Sequence, residues 1–179
     1  MSYDLEQFTT ECHAILKRDP GPKGREEVRK RLEQLLRNRD FVQRYCVEAP
    51  RGLHLLYEDK ELGFQVLAHL NEKPRAGLPH DHGKSWAIYG QATEYTDMIE
   101  WERLDDGSDP AKGQLKVEKK YRLTPGHAGI YQDGKIHSID YPDQSIFIRV
   151  TGTNLDRITR KMFNLETGKV TQMTPQAAS

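Results

Sequence analysis

The sequence predicts a mainly β protein, a closed barrel or jelly roll of short strands with an N-terminal helical cap. Two observations carry this. Apolar residues recur every three or four positions as far as about residue 47 and alternate from Leu53 onward, which is the change from helical to strand period. Gly, Pro, Asp and Asn then interrupt the chain at short intervals, as turns between brief strands do. About eight such strands favour closure, because a closed sheet has no exposed edges.

The elements follow in order. Leu5, Phe8, Cys12, Ile15 and Leu16 form one helical stripe, which Asp19-Pro20-Gly21-Pro22 ends. A second helix is expected from Gly24 to Val47, with Val28, Leu32, Leu35 and Leu36 on its apolar face. Strands are expected over 53–57, 64–70, 86–101, 115–123, 129–131, 136–139, 146–150 and 158–165, with 102–113 a polar excursion. The chain divides into a helical cap (1–48), a barrel (49–173) and a frayed tail (174–179), together one structural domain at 179 residues.

Charge excludes some functions. Lys plus Arg and Asp plus Glu each total 27, so the formal net charge is zero and no basic excess marks a nucleic-acid binder. No apolar run has the length of a membrane span, and Met1-Ser2-Tyr3-Asp4 lacks the features of a signal peptide. Cys12 and Cys46 lack metal-type spacing and are expected as free thiols, which fits a cytoplasmic protein.

The chemistry centres on Leu78-Pro79-His80-Asp81-His82-Gly83. Residues two apart in an extended strand share a side, so His80 and His82 can converge on one point. Neutral imidazoles suit a divalent transition metal. Further on, Gly126 to His137 reads as strand, Asp133-Gly134 turn and returning strand, and His137 is expected to complete the set from across the barrel lumen.

On these motifs the chain resembles the cupin superfamily and, within it, the cysteine dioxygenase-like thiol dioxygenases. The likeness spans roughly residues 50 to 155. Tyr57-Glu58-Asp59 and Phe64-Gln65-Val66-Leu67 look like the strands before the first motif. Pro79 to His82 with Tyr89-Gly90 match that motif, and Gly126, Gly134 and His137 match the second. The resemblance implies a double-stranded β-helix, Fe(II), dioxygen and a thiol substrate. Common cupins carry a glutamate after the histidine pair, but Gly83 to Ala87 holds none, which leaves a three-histidine site as in the thiol dioxygenases. Gln132 and Tyr141 replace the proline and asparagine of the second motif. Of the group's Ser-x-His-x-Tyr strand, Ser145 to Arg149 keeps only the serine. The carboxylate-binding arginine would fall near Asp59, whose charge would repel cysteine.

Three neutral ligands leave Fe(II) its full charge and open positions, so an anionic substrate and O2 can meet on one ion, a proximity effect of up to about 7–11 kcal/mol. Around the ligands, Ser145 and Tyr131 are catalytic candidates, and Arg149, Tyr89 and Trp86 are substrate-binding candidates. Tyr89, Tyr131 and Tyr141 read first as packed walls, and Asp81 reads as a second-sphere acceptor or a surface carboxylate. His13, His69 and His127 have no spacing that ties them to the ligands. Three readings stand: an iron oxygenase acting on a small anionic molecule, a Zn, Ni or Mn lyase, isomerase or hydrolase, and a non-catalytic small-ligand module. A small-molecule substrate is expected, with no nucleic acid and no membrane; nothing in the sequence sets the oligomeric state.

Overall fold

Asp4 starts helix α1 (Leu5–Arg18) by accepting the Gln7 amide at 2.9 Å, which satisfies one of the free donors of a helix start. The structure, a computed structural model, describes residues 3–175. Helix α2 (Pro22–Leu36) opens with proline, whose fixed φ suits a first helical turn. The helix expected to run on to Val47 instead ends at Leu36. Asn38 accepts the Asp40 and Phe41 amides and so caps a separate short helix α3 (Arg39–Val42), followed by one π-helical turn, Gln43–Val47. An asparagine that bonds to nearby backbone competes with helix continuation, and Asn38 also donates to the Tyr3 carbonyl at 2.9 Å.

The strands are β1 (Gly52–Glu58), β2 (Gln65–Leu70), β3 (Arg75–Ala76), β4 (Ala87–Thr93), β5 (Thr96–Arg103), β6 (Leu115–Leu123), β7 (Ala128–Tyr131), β8 (Ile136–Tyr141), β9 (Ile146–Thr151), β10 (Arg160–Phe163) and β11 (Val170–Met173). One sheet runs β1-β2-β9-β4-β7 and the other β3-β8-β5-β6, while β10 and β11 form a separate hairpin. With β1 and the β10–β11 hairpin set aside, β2·β9, β3·β8, β4·β7 and β5·β6 are antiparallel pairs nested one inside the next, and β4·β9 and β5·β8 join them side by side within the sheets. A long hairpin with β5 and β6 at its tip has been rolled up, so successive pairs fall alternately in the two sheets. That winding is the jelly roll, or double-stranded β-helix, expected from the sequence.

The stretch 86–101 is two strands in different sheets, not one. Glu94, at φ +56°, makes the corner between β4 and β5. Strands β3 and β11 were not anticipated. The Asp133-Gly134 turn joins β7 to β8 as expected, with Gly134 at φ +70° and the Lys135 amide on the Gln132 carbonyl at 3.1 Å.

The helices cover the outer face of the five-stranded sheet. There Val28, Leu32 and Leu35 meet Val66, Ile88 and Ile148 in one buried cluster. The inner face carries Ala87, Tyr89, Phe147 and Tyr131, packed with Met98 and Leu123 of the second sheet. Burial on both faces explains the near-continuous apolar runs of β2 and β9. Gly90 permits the close approach of α2: a Cβ there would lie 2.6 Å from Leu36 Cδ1 and 2.7 Å from Leu32 Cδ2. Cys12 and Cys46 are free and buried, as expected of unbridged thiols, and burial pushes Cys46 up to about 12. Among the described residues no helix is long and apolar enough to cross a membrane. Of the expected tail, Thr174 and Pro175 have no regular structure and 176–179 lie outside the described residues.

Candidate metal centre

Pairing of β3 with β8 brings the distant histidine to the HxH segment. Beyond β3 the chain stays extended, and His80 and His137 exchange both backbone hydrogen bonds at 2.9 Å. His137 is therefore the cross-strand neighbour of His80 in the same ladder, not a residue reaching across the lumen. On its other side His80 bridges Met162 of β10. His80, His82 and His137 each offer a ligand nitrogen, and these nitrogens all lie within 4.8 Å of one another. The ring centroids stand 5.2, 4.5 and 4.6 Å apart for the pairs 80–82, 80–137 and 82–137.

Backbone contacts fix the tautomers of two ligands. A carbonyl only accepts, so His80 Nδ1 donates to Leu78 O and His137 Nδ1 to Lys135 O, each at 3.0 Å. The Nε2 lone pairs are left facing the cluster. His137 Nε2 is buried with no hydrogen-bond partner, an unsatisfied acceptor that a cation would satisfy. Burial holds all three imidazoles below their ordinary range; the other histidines add to this at His82, and His80 does so at His137. They are neutral at physiological pH, as metal ligands must be. An all-imidazole set accepts Fe, Zn, Ni and Cu alike, so the residues fit a divalent transition metal without selecting one.

Two features lock the ligand segment. Gly83 has φ +56°, and a Cβ there would lie 2.3 Å from the Thr159 carbonyl oxygen, so only glycine lets this turn pack against the chain entering β10. Asp81 is buried, and its Oδ1 accepts the amides of Gly83 at 3.0 Å and Lys161 at 2.8 Å. It bonds no imidazole; it fastens the HxH segment to β10.

The other sequence candidates separate clearly. Tyr131 stacks on His137 with centroids 3.8 Å apart and planes at 16°. Burial first, then the adjacent Tyr121, push its phenol up, so it stays protonated. Tyr89 OH lies 3.4 Å from His82 Nε2; burial raises its phenol despite Arg149. Arg149 is the Cα partner of Tyr89 across β4·β9 and reaches the same chamber. Trp86 does not. It lies on the helix-covered face, with the Arg25 guanidinium 5.8 Å from its ring centroid. Ser145 is also elsewhere: it accepts from Gln91 Nε2 at 3.0 Å and donates to Tyr95 O at 3.1 Å. Asp59 is held outside the chamber by His13 Nδ1 at 2.8 Å, Tyr57 OH at 3.1 Å and the amides of Glu61 and Leu62. It does not line the cavity.

A cavity of about 330 Å³, at the small end of ligand pockets, reaches the cluster at His80. His80, Tyr89, Tyr141, Phe147 and Arg149 line it. It also contains residues that sequence reasoning missed. His69 stacks on Phe147 at 4.6 Å, Arg75 sits on β3, and Arg160, Met162 and Met173 come from the β10–β11 hairpin. The alternation of Arg160 with Met162 was a readable signal for a strand face; nothing in the sequence placed that face over the cavity.

No family model matches this chain, and no curated protein matches it. Solved structures do. KdgF from a Halomonas species shares 15% identity over 55% of this chain and 76% of that one, with a TM-score of 0.41. A cupin-superfamily protein from Desulfitobacterium hafniense shares 14% over 60% and 84%, at 0.42. A Klebsiella pneumoniae protein with a double-stranded β-helix domain shares 14% over 64% and 84%, at 0.41. The jelly-roll assignment rests on the strand pairing itself.

Proposed function

We propose that this chain is a cupin oxygenase, using Fe(II) and O2 to oxidise a small anionic molecule, with a thiol favoured by the resemblance of its motifs. The observation that supports this most is the set of three neutral imidazoles without a carboxylate ligand, one of which, His80, lines a chamber that also holds Arg149. Bound Fe(II) would supply the redox chemistry and the open positions for substrate and O2.

The chain's own residues do the rest. Arg149 attracts the substrate's anionic group and orients it toward the histidines. Tyr89 keeps its proton and presents a donor beside His82. Tyr131 holds the His137 ring by stacking. Phe147 and Tyr141 limit water around the reacting atoms.

The test is anaerobic Fe(II) loading followed by an oxygen-electrode trace across a panel of small thiols, cysteine included, and enols. Uptake that requires both iron and substrate is expected. Stoichiometric iron with no uptake across the panel would contradict the oxygenase reading. Turnover by the zinc or nickel form under argon would replace it with Lewis-acid chemistry at the same site.

A further inference from the structure

Three guanidinium groups line one small cavity, and no carboxylate does. Arg149, Arg75 and Arg160 all border it, in a protein whose charges otherwise balance. Among the described residues Arg149 and Arg75 form no ion pair, and Arg160 reaches only the exposed Asp156, at 3.5 Å. Asp140, beside Arg75 in the β3·β8 ladder, is committed elsewhere: its Oδ1 accepts the Gly77 amide at 3.1 Å. Arg149 Nε and Arg160 Nε are buried without partners. Arg149 and Arg160 are thus partly buried cations without close counter-charge, a cost that a bound anion removes, whereas Arg75 is exposed on its two-residue strand.

The three charges are also spread out. Arg160 lies two residues from Met162, the bridge partner of His80, so it stands on the ligand side. Arg75 pairs with Tyr141 at the other end of the ladder. That register sets Arg75 four residues along β8 from His137. The wall also carries the apolar side chains of Leu78, Ile139, Met162 and Met173.

We propose that the cavity selects a short dicarboxylate, with one carboxylate at Arg149 and Arg160 near the histidines and the second at Arg75. This deepens the proposed function by naming its substrate class, and relies on that reading only for the atom that meets the metal. Separated cations around an apolar wall fit two charges joined by a short methylene spine better than one compact anion.

The probes are succinate, butyrate and inorganic phosphate, titrated calorimetrically into the metal-loaded protein under argon, so the result does not depend on turnover. Succinate should bind about tenfold or more tighter than butyrate. In Arg75→Gln that ratio should fall to near one, with butyrate affinity unchanged and the circular dichroism spectrum of the wild type. A wild-type ratio near one, a ratio that survives Arg75→Gln, or phosphate binding more tightly than succinate would each overturn the proposal. Failure of the oxygenase reading would instead appear as absent oxygen uptake with the dicarboxylate preference intact.

Discussion

The two faces of the five-stranded sheet share the same backbone and do different work. On the outer face, Val66, Ile88, Ile148 and Val150 pack against the helices in a wholly apolar cluster. On the inner face, one residue along each strand, are Tyr89, Phe147, Arg149 and His69, with His137 of the candidate metal cluster, on the other sheet, 6.0 Å from Tyr89 between ring centroids. The outer face supplies stability and holds the strands in place. The inner face can therefore carry buried imidazoles and uncompensated charges that would weaken a core. Alternating side chains let one set of strands do both, since a change on one side leaves the other nearly untouched.

That division can be broken from either side. The largest effect is expected from His137→Ala, which removes an inner ligand. Metal affinity should fall by about a hundredfold or more, beyond what loss of an outer partner costs, while the melting temperature of the metal-free protein barely moves. Metal content after dialysis checks it. Leu32→Ala on the helix-covered side should do the reverse: about 2–5 kcal/mol of stability lost in denaturant unfolding, with metal stoichiometry unchanged. If Leu32→Ala emptied the site, the two faces would not be separable.

Gly83→Ala sharpens the comparison, because it lies between the two. A Cβ against the Thr159 carbonyl, added to a left-handed backbone, should cost roughly 1–3 kcal/mol and loosen the metal as well. The smallest effect concerns pH. Burial opposes ionisation of Asp59, but the Leu62 amide, His13 and Tyr57 outweigh it and hold the carboxyl below its usual range. A depressed native value stabilises the fold above the unfolded carboxyl's range, and that gain is lost as pH falls through the native value. Asp59→Asn should therefore flatten the acid limb of the stability curve and leave metal content alone.

The period of the sequence made the candidate metal-binding histidines legible. His80 and His82 share a side because they are two apart, and His137 follows the Asp133-Gly134 turn that reverses the strand. The same parity explains the misplacement of Trp86: three residues from Tyr89, it must face the opposite side. Ser145 has the parity of Phe147 but precedes β9, so Gln91 and Tyr95 capture it. Arg75 and Arg160 were hidden for other reasons. β3 has two residues, too few to show alternation. β10 reaches the cavity through its pairing with the HxH segment, the bridge of Met162 to His80 among its contacts, between segments about eighty residues apart that no local pattern encodes.

The most direct test of the central claim is anomalous diffraction at the metal absorption edge from crystals of metal-loaded protein. One peak is expected within about 2.0–2.3 Å of the Nε2 atoms of His80, His82 and His137 together. A peak held by other residues, or none at these three nitrogens in crystals with stoichiometric metal, would contradict it.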